Sequence, residues 1–283
     1  DSNRIILGSG SDEVLLFAAL AFCQDGDEIL HANHGFEMYS IVSKVVGAVP
    51  KKIKEDVNFN LNIENLIDQT NDATKVIYIA SPNNPTGTYL SRDQLVKLMN
   101  SISKNIIVVI DGAYVEYVQK DDYDKGFSLT DEYENIILTR TFSKTYGLAA
   151  LRVGWCYTSQ KIADIINKIK PPFNTTTISQ SLAIKALEDK EHIENSVKLN
   201  SEIKDWFEKE LKLLNIKTRQ TEGNFTLIET SEEEAEKISN HLMNDGIIIR
   251  RLNSYNLPNF LRISIGTKEE MNLTVESLKK FNV

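Results

Sequence analysis

The chain has 283 residues, of which 41% are hydrophobic and 25% are charged, a composition typical of a globular protein with a substantial core. Its net charge of −8 argues against a broad nucleic-acid-binding or anionic-membrane surface, because either requires a cationic face. No apolar run reaches the roughly 18 residues of a membrane span, and the first residues do not resemble a secretory signal. We therefore expect a cytoplasmic protein with no nucleic-acid partner and no membrane partner.

Five short runs rich in β-branched residues predict the strands of a large domain. Their apolar residues are consecutive, as in strands that are covered on both faces. Helical patterns at 11–23, 36–46, 91–103 and 160–169 separate several of these runs. Strands that alternate with helices predict an α/β domain with a mostly parallel sheet. The five runs are EILHA at 28–32, KVIYIAS at 75–81, NIIVVID at 105–111, NIILTRT at 135–141 and VGWCYTS at 153–159.

The pattern changes near residue 177. A long helical segment extends from 176 to 216, and we expect a break or bend at Glu188 to Lys190. After it come TEGNFTLIET, a helix at 231–246, short strands in IIIRRL and LRISIG, and a final helix at 267–281. This pattern predicts two domains, a large one over 1–188 and a smaller α+β domain over 189–283.

The two cysteines, Cys23 and Cys156, each lie in an apolar context. Neither has metal-ligand spacing with another cysteine or with a histidine. We interpret them as buried thiols of a reducing compartment and predict no metal site.

Polar residues that follow the predicted strands are the first candidates for a site, because ligands of open α/β sheets lie beyond the carboxyl ends of the strands. The first group is GSGSD at 8–12, directly before a helix. Backbone N–H groups at such a helix start attract a phosphate, although the segment lacks the third glycine of a dinucleotide-binding motif. A purely local interpretation, in which Ser11 caps the helix and Glu13 lies in its first turn, is equally consistent with the sequence.

Two further groups follow the strands at 75–81 and 105–111. SPNNPTG at 81–87 is a turn on local grounds, but Asn83 and Asn84 also place amides at the edge of the sheet. Asp111 ends an apolar run, and a buried carboxylate is unfavourable unless it is paired, so we expect a cationic partner for it. Capping of the next segment is the alternative. Tyr114 places a phenol at the same edge.

The fourth group, Thr141, Ser143, Lys144 and Arg152, follows the strand at 135–141. A lysine that is partly desolvated beside other cations attacks carbonyl groups, whereas an ordinary surface lysine is the alternative for Lys144 taken alone. Together the four groups supply a phosphate cradle, an amide, a buried Asp, a phenol and a lysine. This combination is the contribution that a protein makes around pyridoxal 5'-phosphate (PLP).

The segments SPNNPTG, DGAY and RTFSKTYGLAALRVGW, in that order, resemble the fold-type I PLP-dependent aminotransferases, and within them the histidinol-phosphate aminotransferases. The likeness extends over essentially the whole chain, to GIIIRRL and LRISIGT near its end. It implies an aspartate aminotransferase-like fold with a seven-stranded sheet, and a homodimer with sites at the interface. The implied reaction transfers the amino group of histidinol phosphate to 2-oxoglutarate, which gives imidazole acetol phosphate and glutamate in histidine biosynthesis.

The resemblance also implies a role for each candidate residue. Lys144 would carry the cofactor covalently, Asp111 would hold its ring nitrogen, and these two with Tyr114 would be catalytic. Asn84 would join Tyr114 at the ring oxygen and also contact substrate. The implied phosphate ligands are Ser11, Asp12, Thr141, Ser143 and Arg152; the implied stacking residue is Phe36, and the implied substrate-anion ligands are Arg262 and its helper Arg250. For Phe36 a core position in helix 36–46 is the alternative, and for the two arginines a structural salt bridge.

Two departures from the family pattern stand out. Gly112 occupies the position where the family commonly has an acidic residue, as in DEAY, and we expect a modest effect. The family also has an arm and a helix before the position of Asp1, with a tyrosine that reaches the neighbouring subunit's cofactor phosphate, and we expect this arm to be absent here.

Three alternative functions share most of these residues. An aromatic amino-acid aminotransferase or a phosphothreonine decarboxylase would use nearly the same site. A non-catalytic PLP-binding homologue, such as the binding domain of a transcription regulator, is disfavoured because Lys144 is intact and the chain is acidic.

Overall fold

The computed structural model describes residues 1–281, which form two β-sheets with α-helices packed on them. In the larger sheet the strand order is β1-β7-β6-β5-β4-β2-β3, and only β7 runs antiparallel to its neighbours. The predicted α/β class and the seven-stranded, mostly parallel sheet are therefore confirmed. The strands are β1 (Ile5–Gly8), β2 (Glu28–Ala32), β3 (Val49–Ile53), β4 (Thr74–Ala80), β5 (Ile107–Asp111), β6 (Ile136–Thr141) and β7 (Gly154–Thr158).

Helices cover the large sheet on both faces. One face packs on α1, α2 and α6 and the other on α3, α4 and α5. In β4, Val76 and Tyr78 belong to the first core while Ile77 and Ile79 belong to the second, so the apolar residues of this strand are consecutive because both of its faces are covered. The helices are α1 (Ser11–Phe22), α2 (Met38–Val45), α3 (Ile63–Asp68), α4 (Arg92–Ser101), α5 (Leu129–Glu132) and α6 (Gln160–Ile169).

The elements that the sequence did not predict lie mostly at the edges of the sheet. Strands β1 and β3 are its two edge strands. The sequence of β3, VPKKI, carries a proline and two lysines and is only partly buried, as is common for an edge strand. In β3 the pattern that revealed the central strands was therefore absent, whereas β1 (IILG) is a short apolar run in which buried and more exposed residues alternate. Helix α2 begins at Met38 rather than at residue 36.

The smaller sheet is antiparallel, with the strand order β10-β11-β9-β8. Its strands are β8 (Lys217–Arg219), β9 (Phe225–Glu229), β10 (Arg250–Leu252) and β11 (Leu257–Ser264), and its helices are α8 (Lys190–Leu213), α9 (Glu232–Asn244) and α10 (Lys268–Phe281). Helix α7 (Thr177–Glu188) is separated from α8 at Asp189, whose carboxylate caps α8 by accepting from the His192 N–H at 3.0 Å. The expected break is thus confirmed, while the domain boundary between residues 188 and 189 stays a prediction.

The two faces of the smaller sheet have different partners. Leu261 and Ile263 of β11 pack on α8, α9 and α10. Phe260 belongs to a second apolar cluster, which also includes Phe59 from the loop after β3. Because side chains alternate along a strand, Arg262 projects from the same face as Phe260, toward the large sheet.

The two cysteines differ in burial. Cys156 is buried in β7, as expected, but Cys23 is only partly buried at the end of α1. Burial is the main cause that raises the pKa of each thiol to about 12. No helix within residues 1–281 is long and apolar enough to cross a bilayer.

A backbone contact joins the loop after β4 to the segment before β9. The Glu222 N–H donates to the Gly87 carbonyl at 2.8 Å. Gly87 has φ +76°, and a Cβ atom there would lie 2.3 Å from Cβ of Thr221. The close approach and the left-handed backbone both require glycine.

We predict that Gly87→Ala lowers the free energy of unfolding by about 2–4 kcal/mol, because left-handed strain and overpacking add. The matched control is Gly26→Ala, which has φ +84° but nothing within 4 Å of the new Cβ atom, and it should lose about 1 kcal/mol. Denaturant unfolding measures the free energy of unfolding of both variants, and equal decreases would contradict the contribution of the close approach at Gly87.

Candidate active site

A cavity of about 230 Å³ lies at the carboxyl ends of β4, β5 and β6. It brings together ten residues to which the family resemblance gave a role. Asn83 does not line it, and its side-chain amide instead donates to the His34 carbonyl and the Thr86 hydroxyl. Most of the ten follow a strand or begin a helix, so the fold itself collects them at one edge of the sheet. The ten residues are Ser11, Asp12, Phe36, Asn84, Asp111, Tyr114, Thr141, Ser143, Lys144 and Arg152.

Asp111 is the buried acid of this cavity, with 4% of its surface exposed. One carboxylate oxygen accepts from the Tyr39 hydroxyl and the other from the Thr139 hydroxyl, each at 2.9 Å. Asp111 forms no salt bridge with any residue of 1–281, so the chain itself does not supply the cationic partner that we expected. Burial raises the pKa of this carboxyl, and the two hydroxyls act in the opposite direction.

Lys144 lines the same cavity, three residues after the end of β6. Its Nζ lies 5.3 Å from the centroid of the Tyr114 ring, which is itself packed edge-on against Phe225. Within the described chain the Lys144 ammonium has no carboxylate within salt-bridge distance. The amine therefore faces the cavity without a fixed partner.

Arg152 and the start of α1 form one end of the cavity. The Arg152 guanidinium donates to Asp12 at 3.2 Å and to the Ser143 hydroxyl at 3.4 Å. The local interpretation, in which Ser11 caps α1, is wrong. The cap residue is Gly10, and Ser11 is the first helical residue. A Cβ atom at Gly10 would lie 2.4 Å from Arg152 Nη2, so glycine allows the guanidinium to approach the helix start.

Arg262 and Arg250 lie outside the cavity lining but next to it. They are opposite each other on neighbouring strands. Arg262 donates to the Asn84 side-chain oxygen, and its guanidinium carbon lies 5.1 Å from the centroid of the Phe225 ring. It forms no salt bridge within residues 1–281, so the structural salt bridge that the sequence left open for it is not present there. Arg250 makes a loose pair with Glu37 at 3.9 Å, both being partly exposed.

Sequence reasoning missed two residues that touch the site. Tyr39 lines the cavity and lies three residues after Phe36, a spacing that places both rings on one side of a helical turn. Thr139 lies two residues before Thr141 and is the register partner of Asp111. Alternation along β6 places Thr139 and Thr141 on one face, so pattern reasoning could have found Thr139. For Tyr39 the spacing indicates a place near Phe36 but not the hydrogen bond to Asp111, which is 72 positions away.

Gly112, the departure from the family pattern, lies against a buried arginine. A Cβ atom there would lie 2.3 Å from Arg140 Nη1. Arg140 donates to the carbonyl oxygens of Thr139, at 2.7 Å, and of Lys125, and burial lowers its pKa. An acidic side chain at position 112 would therefore be placed directly beside this guanidinium.

Comparison with known proteins gives a consistent result. The family model of the class I and II aminotransferases matches residues 1–278. A histidinol-phosphate aminotransferase of Roseobacter denitrificans is 37% identical over 99% of this chain and 78% of its own length. One of Pelagibacter ubique is 40% identical over 100% of this chain and 79% of its own length. The crystal structure of the Sinorhizobium meliloti histidinol-phosphate aminotransferase with PLP superposes with a TM-score of 0.91 at 24% identity, over 99% of this chain and 78% of that one.

We predict that Asp111→Asn stabilises the ligand-free protein at neutral pH. Burial raises the folded-state pKa of Asp111 above its ordinary value of 3.8, so the folded state binds this proton more tightly than the unfolded state. Stability is then lost as the pH rises through the window between the two values. The variant removes this loss, and its melting temperature should exceed that of the wild type at neutral pH, with the gap closing at acid pH.

The control is Asp72→Asn at an exposed position, which should leave the melting temperature unchanged at both pH values. A lower melting temperature for Asp111→Asn than for the wild type at neutral pH would contradict the unfavourable burial of the charge.

Proposed function

The chain belongs to the class I and II aminotransferase family, the PLP-dependent transaminases, and we propose that it transfers the amino group of histidinol phosphate to 2-oxoglutarate. The observation that carries the proposal is the single cavity in which Lys144 and Asp111 face a common space. Relatives named as histidinol-phosphate aminotransferases, at 36–40% identity over nearly the whole chain, support the choice of amino donor.

The residues of the cavity fit PLP. Asp111 is a buried carboxylate without a cation in the described chain, and a protonated ring nitrogen supplies one. Lys144 presents an amine without a salt-bridge partner in the described chain for the cofactor aldehyde. At the other end, Arg152 and the N-terminus of α1 are suited to the phosphate group.

We assign the catalytic roles from these positions. When bound, PLP supplies an aldehyde for the lysine amine and a ring that withdraws electrons from the reacting carbon. Lys144 would move the proton that leaves the substrate α-carbon, because its amine lines the cavity without a salt-bridge partner in the described chain. Asp111 would hold a proton at the ring nitrogen, and Tyr114 and Asn84 would hold the ring oxygen. Phe36 would lie against the ring face.

Arg262 would bind the anionic end of both substrates. The phosphate of histidinol phosphate and the distal carboxylate of glutamate each accept two parallel hydrogen bonds from a guanidinium. Arg262 lies over Phe225 and is held by Asn84, so its side chain is oriented before substrate arrives. Arg250, its neighbour on β10, adds positive charge at the same place.

The test is a substrate panel with the PLP-loaded protein and 2-oxoglutarate. The proposal expects keto product and glutamate from histidinol phosphate, with a kcat/KM well above that for phenylalanine or tyrosine. Preference for the aromatic amino acids would identify an aromatic aminotransferase, and carbon dioxide release from phosphothreonine would identify a decarboxylase. No turnover with any amine would leave the non-catalytic alternative.

We predict that Arg262→Gln raises the KM for histidinol phosphate and for glutamate by about 10–100-fold, the effect of losing a charge-assisted hydrogen bond. The matched control is Arg251→Gln. Arg251 follows Arg250 in β10, but its guanidinium lies 3.8 Å from the carboxylate of Glu236 in α9. Steady-state kinetics of both variants decide the assignment, and an unchanged KM for Arg262→Gln would exclude Arg262 as the anion ligand.

We further propose a homodimer in which α7 packs against the partner. This helix buries only Ser179 and Ala183. Its large apolar side chains are exposed instead, and Phe173, shortly before it, has 97% of its surface exposed. Several exposed apolar side chains on one helix support an interface. They are Ile178, Leu182, Ile184 and Leu187.

The double variant Ile178→Glu, Leu182→Glu should therefore sediment as a monomer while the wild type sediments as a dimer, because it would bury two charges in the interface. Leu213→Glu, at an exposed apolar position at the end of α8, is the control and should leave the dimer intact. A dimeric double variant, measured by sedimentation velocity, would show that α7 lies outside the interface.

The cytoplasm is the proposed location. Both cysteines are unpaired thiols, as expected in a reducing compartment.

A further inference from the structure

Tyr39 is buried in the first turn of α2, with 1% of its surface exposed. Its hydroxyl donates to Asp111 Oδ2 at 2.9 Å. Local sequence does not predict this contact, because the two residues are 72 positions apart. The hydrogen bond between this buried hydroxyl and the cavity carboxylate therefore depends on the tertiary structure.

Thr139 completes the environment of the same carboxylate. It is the register partner of Asp111 on the neighbouring strand, and its hydroxyl donates to Oδ1 at 2.9 Å. Each carboxylate oxygen thus accepts one hydrogen bond from the protein. Two donors on two oxygens fix the rotation of the carboxylate, and each oxygen keeps lone-pair capacity for a ligand in the cavity.

The Tyr39 ring is held by aromatic neighbours. It stacks on Tyr78 with a centroid distance of 4.9 Å and an interplanar angle of 7°, and the Tyr78 hydroxyl donates to the Leu15 carbonyl of α1 at 2.7 Å. On another side Tyr39 meets Phe36 edge-on at 5.9 Å. Tyr39 therefore contacts two cavity residues at once, Phe36 through its ring and Asp111 through its hydroxyl.

We propose that Tyr39 is a positioning residue, which together with Thr139 orients the Asp111 carboxylate toward the ring nitrogen of bound PLP and sets the place of Phe36. This inference rests on the proposed function, which gives Asp111 its role at the cofactor ring. Tyr39 itself does not touch the reacting atoms, and its hydroxyl acts on the cofactor only through Asp111.

The surrounding charges agree with this role. Burial and the nearby Asp111 charge raise the pKa of Tyr39 well above its ordinary value, so its hydroxyl stays a neutral donor. Of the groups that act on Asp111, burial and Asp12 raise its pKa, and the hydroxyls of Tyr39 and Thr139 together with the charge of Arg140 lower it. Loss of the Tyr39 donor therefore favours the neutral carboxyl, which is a poor partner for a protonated ring nitrogen.

The test compares Tyr39→Phe with Tyr78→Phe in the PLP-loaded protein. Both variants keep a stacked ring and lose one buried hydroxyl, but only the first removes a donor to Asp111. The measurements are the dissociation constant for PLP, the pH titration of the bound cofactor's visible absorption, and kcat and KM for histidinol phosphate.

For Tyr39→Phe we expect PLP to bind about tenfold more weakly or worse, as for loss of a hydrogen bond to a charged group. We also expect a displaced midpoint of the absorption titration and a lower kcat with little change in KM. Tyr78→Phe should match the wild type in the titration. An unchanged midpoint for Tyr39→Phe, or equal displacements in the two variants, would overturn the proposal.

Thr139 supplies a second pair if Tyr39→Phe folds poorly. Thr139→Val should displace the titration in the same direction, and Thr139→Ser, which keeps the donor, should restore it; a normal midpoint for Thr139→Val would contradict the shared role. The titration and the PLP affinity need no substrate. They therefore decide this inference even if the wild type proves inactive toward histidinol phosphate, which would reject only the proposed amino donor.

Discussion

A buried carboxylate that lacks a cation within the described chain is the constraint on which the rest of the site depends. Asp111 ends the central strand β5, accepts only from two neutral hydroxyls, and has a pKa raised by burial. In a structural ion pair this charge would be satisfied by the protein. Here the parts of the fold around it, the stacked tyrosines of the core and the hydroxyl of β6, orient the charge toward a cavity instead. A cationic ring is the ligand that such an arrangement stabilises, and we expect the same burial to lower the stability of the ligand-free protein.

The second requirement is that two sheets meet at one place. The smaller sheet has one face on its own helices and the other on the loop residue Phe59. Strand alternation then leaves Arg262 on the face toward the cavity, where Asn84 accepts its hydrogen bond. The contact between Gly87 and Glu222 holds the loop that carries Asn84. In the proposed function, the residues assigned to the substrate anion and to the cofactor ring, Arg262 and Asn84, therefore touch each other although they come from distant parts of the chain.

The sequence was informative where burial makes a pattern. Consecutive apolar residues identified the central strands, and the polar residues directly after them, such as Asn84, Asp111 and Lys144, all line one cavity. Edge strands escaped because half-exposed segments such as β3 follow no single pattern. Tyr39 also escaped, because the bond that matters joins it to a residue 72 positions away. Long-range hydrogen bonds of this kind depend on packing, which spacing in one sequence does not encode.

The most direct test of the account is a single-turnover experiment. PLP-loaded protein is mixed with histidinol phosphate in the absence of any keto acid, and the loss of the lysine-bound cofactor absorption is followed together with the keto product. We predict about one equivalent of keto product per site for the wild type, formed as the absorption is lost. For Lys144→Ala, which has no amine here to bind the cofactor, we predict that keto product forms at least about 100-fold more slowly, the usual loss for a missing acid–base group. Equal rates for the two proteins would contradict the central role of Lys144, and loss of the absorption without keto product would contradict amino transfer.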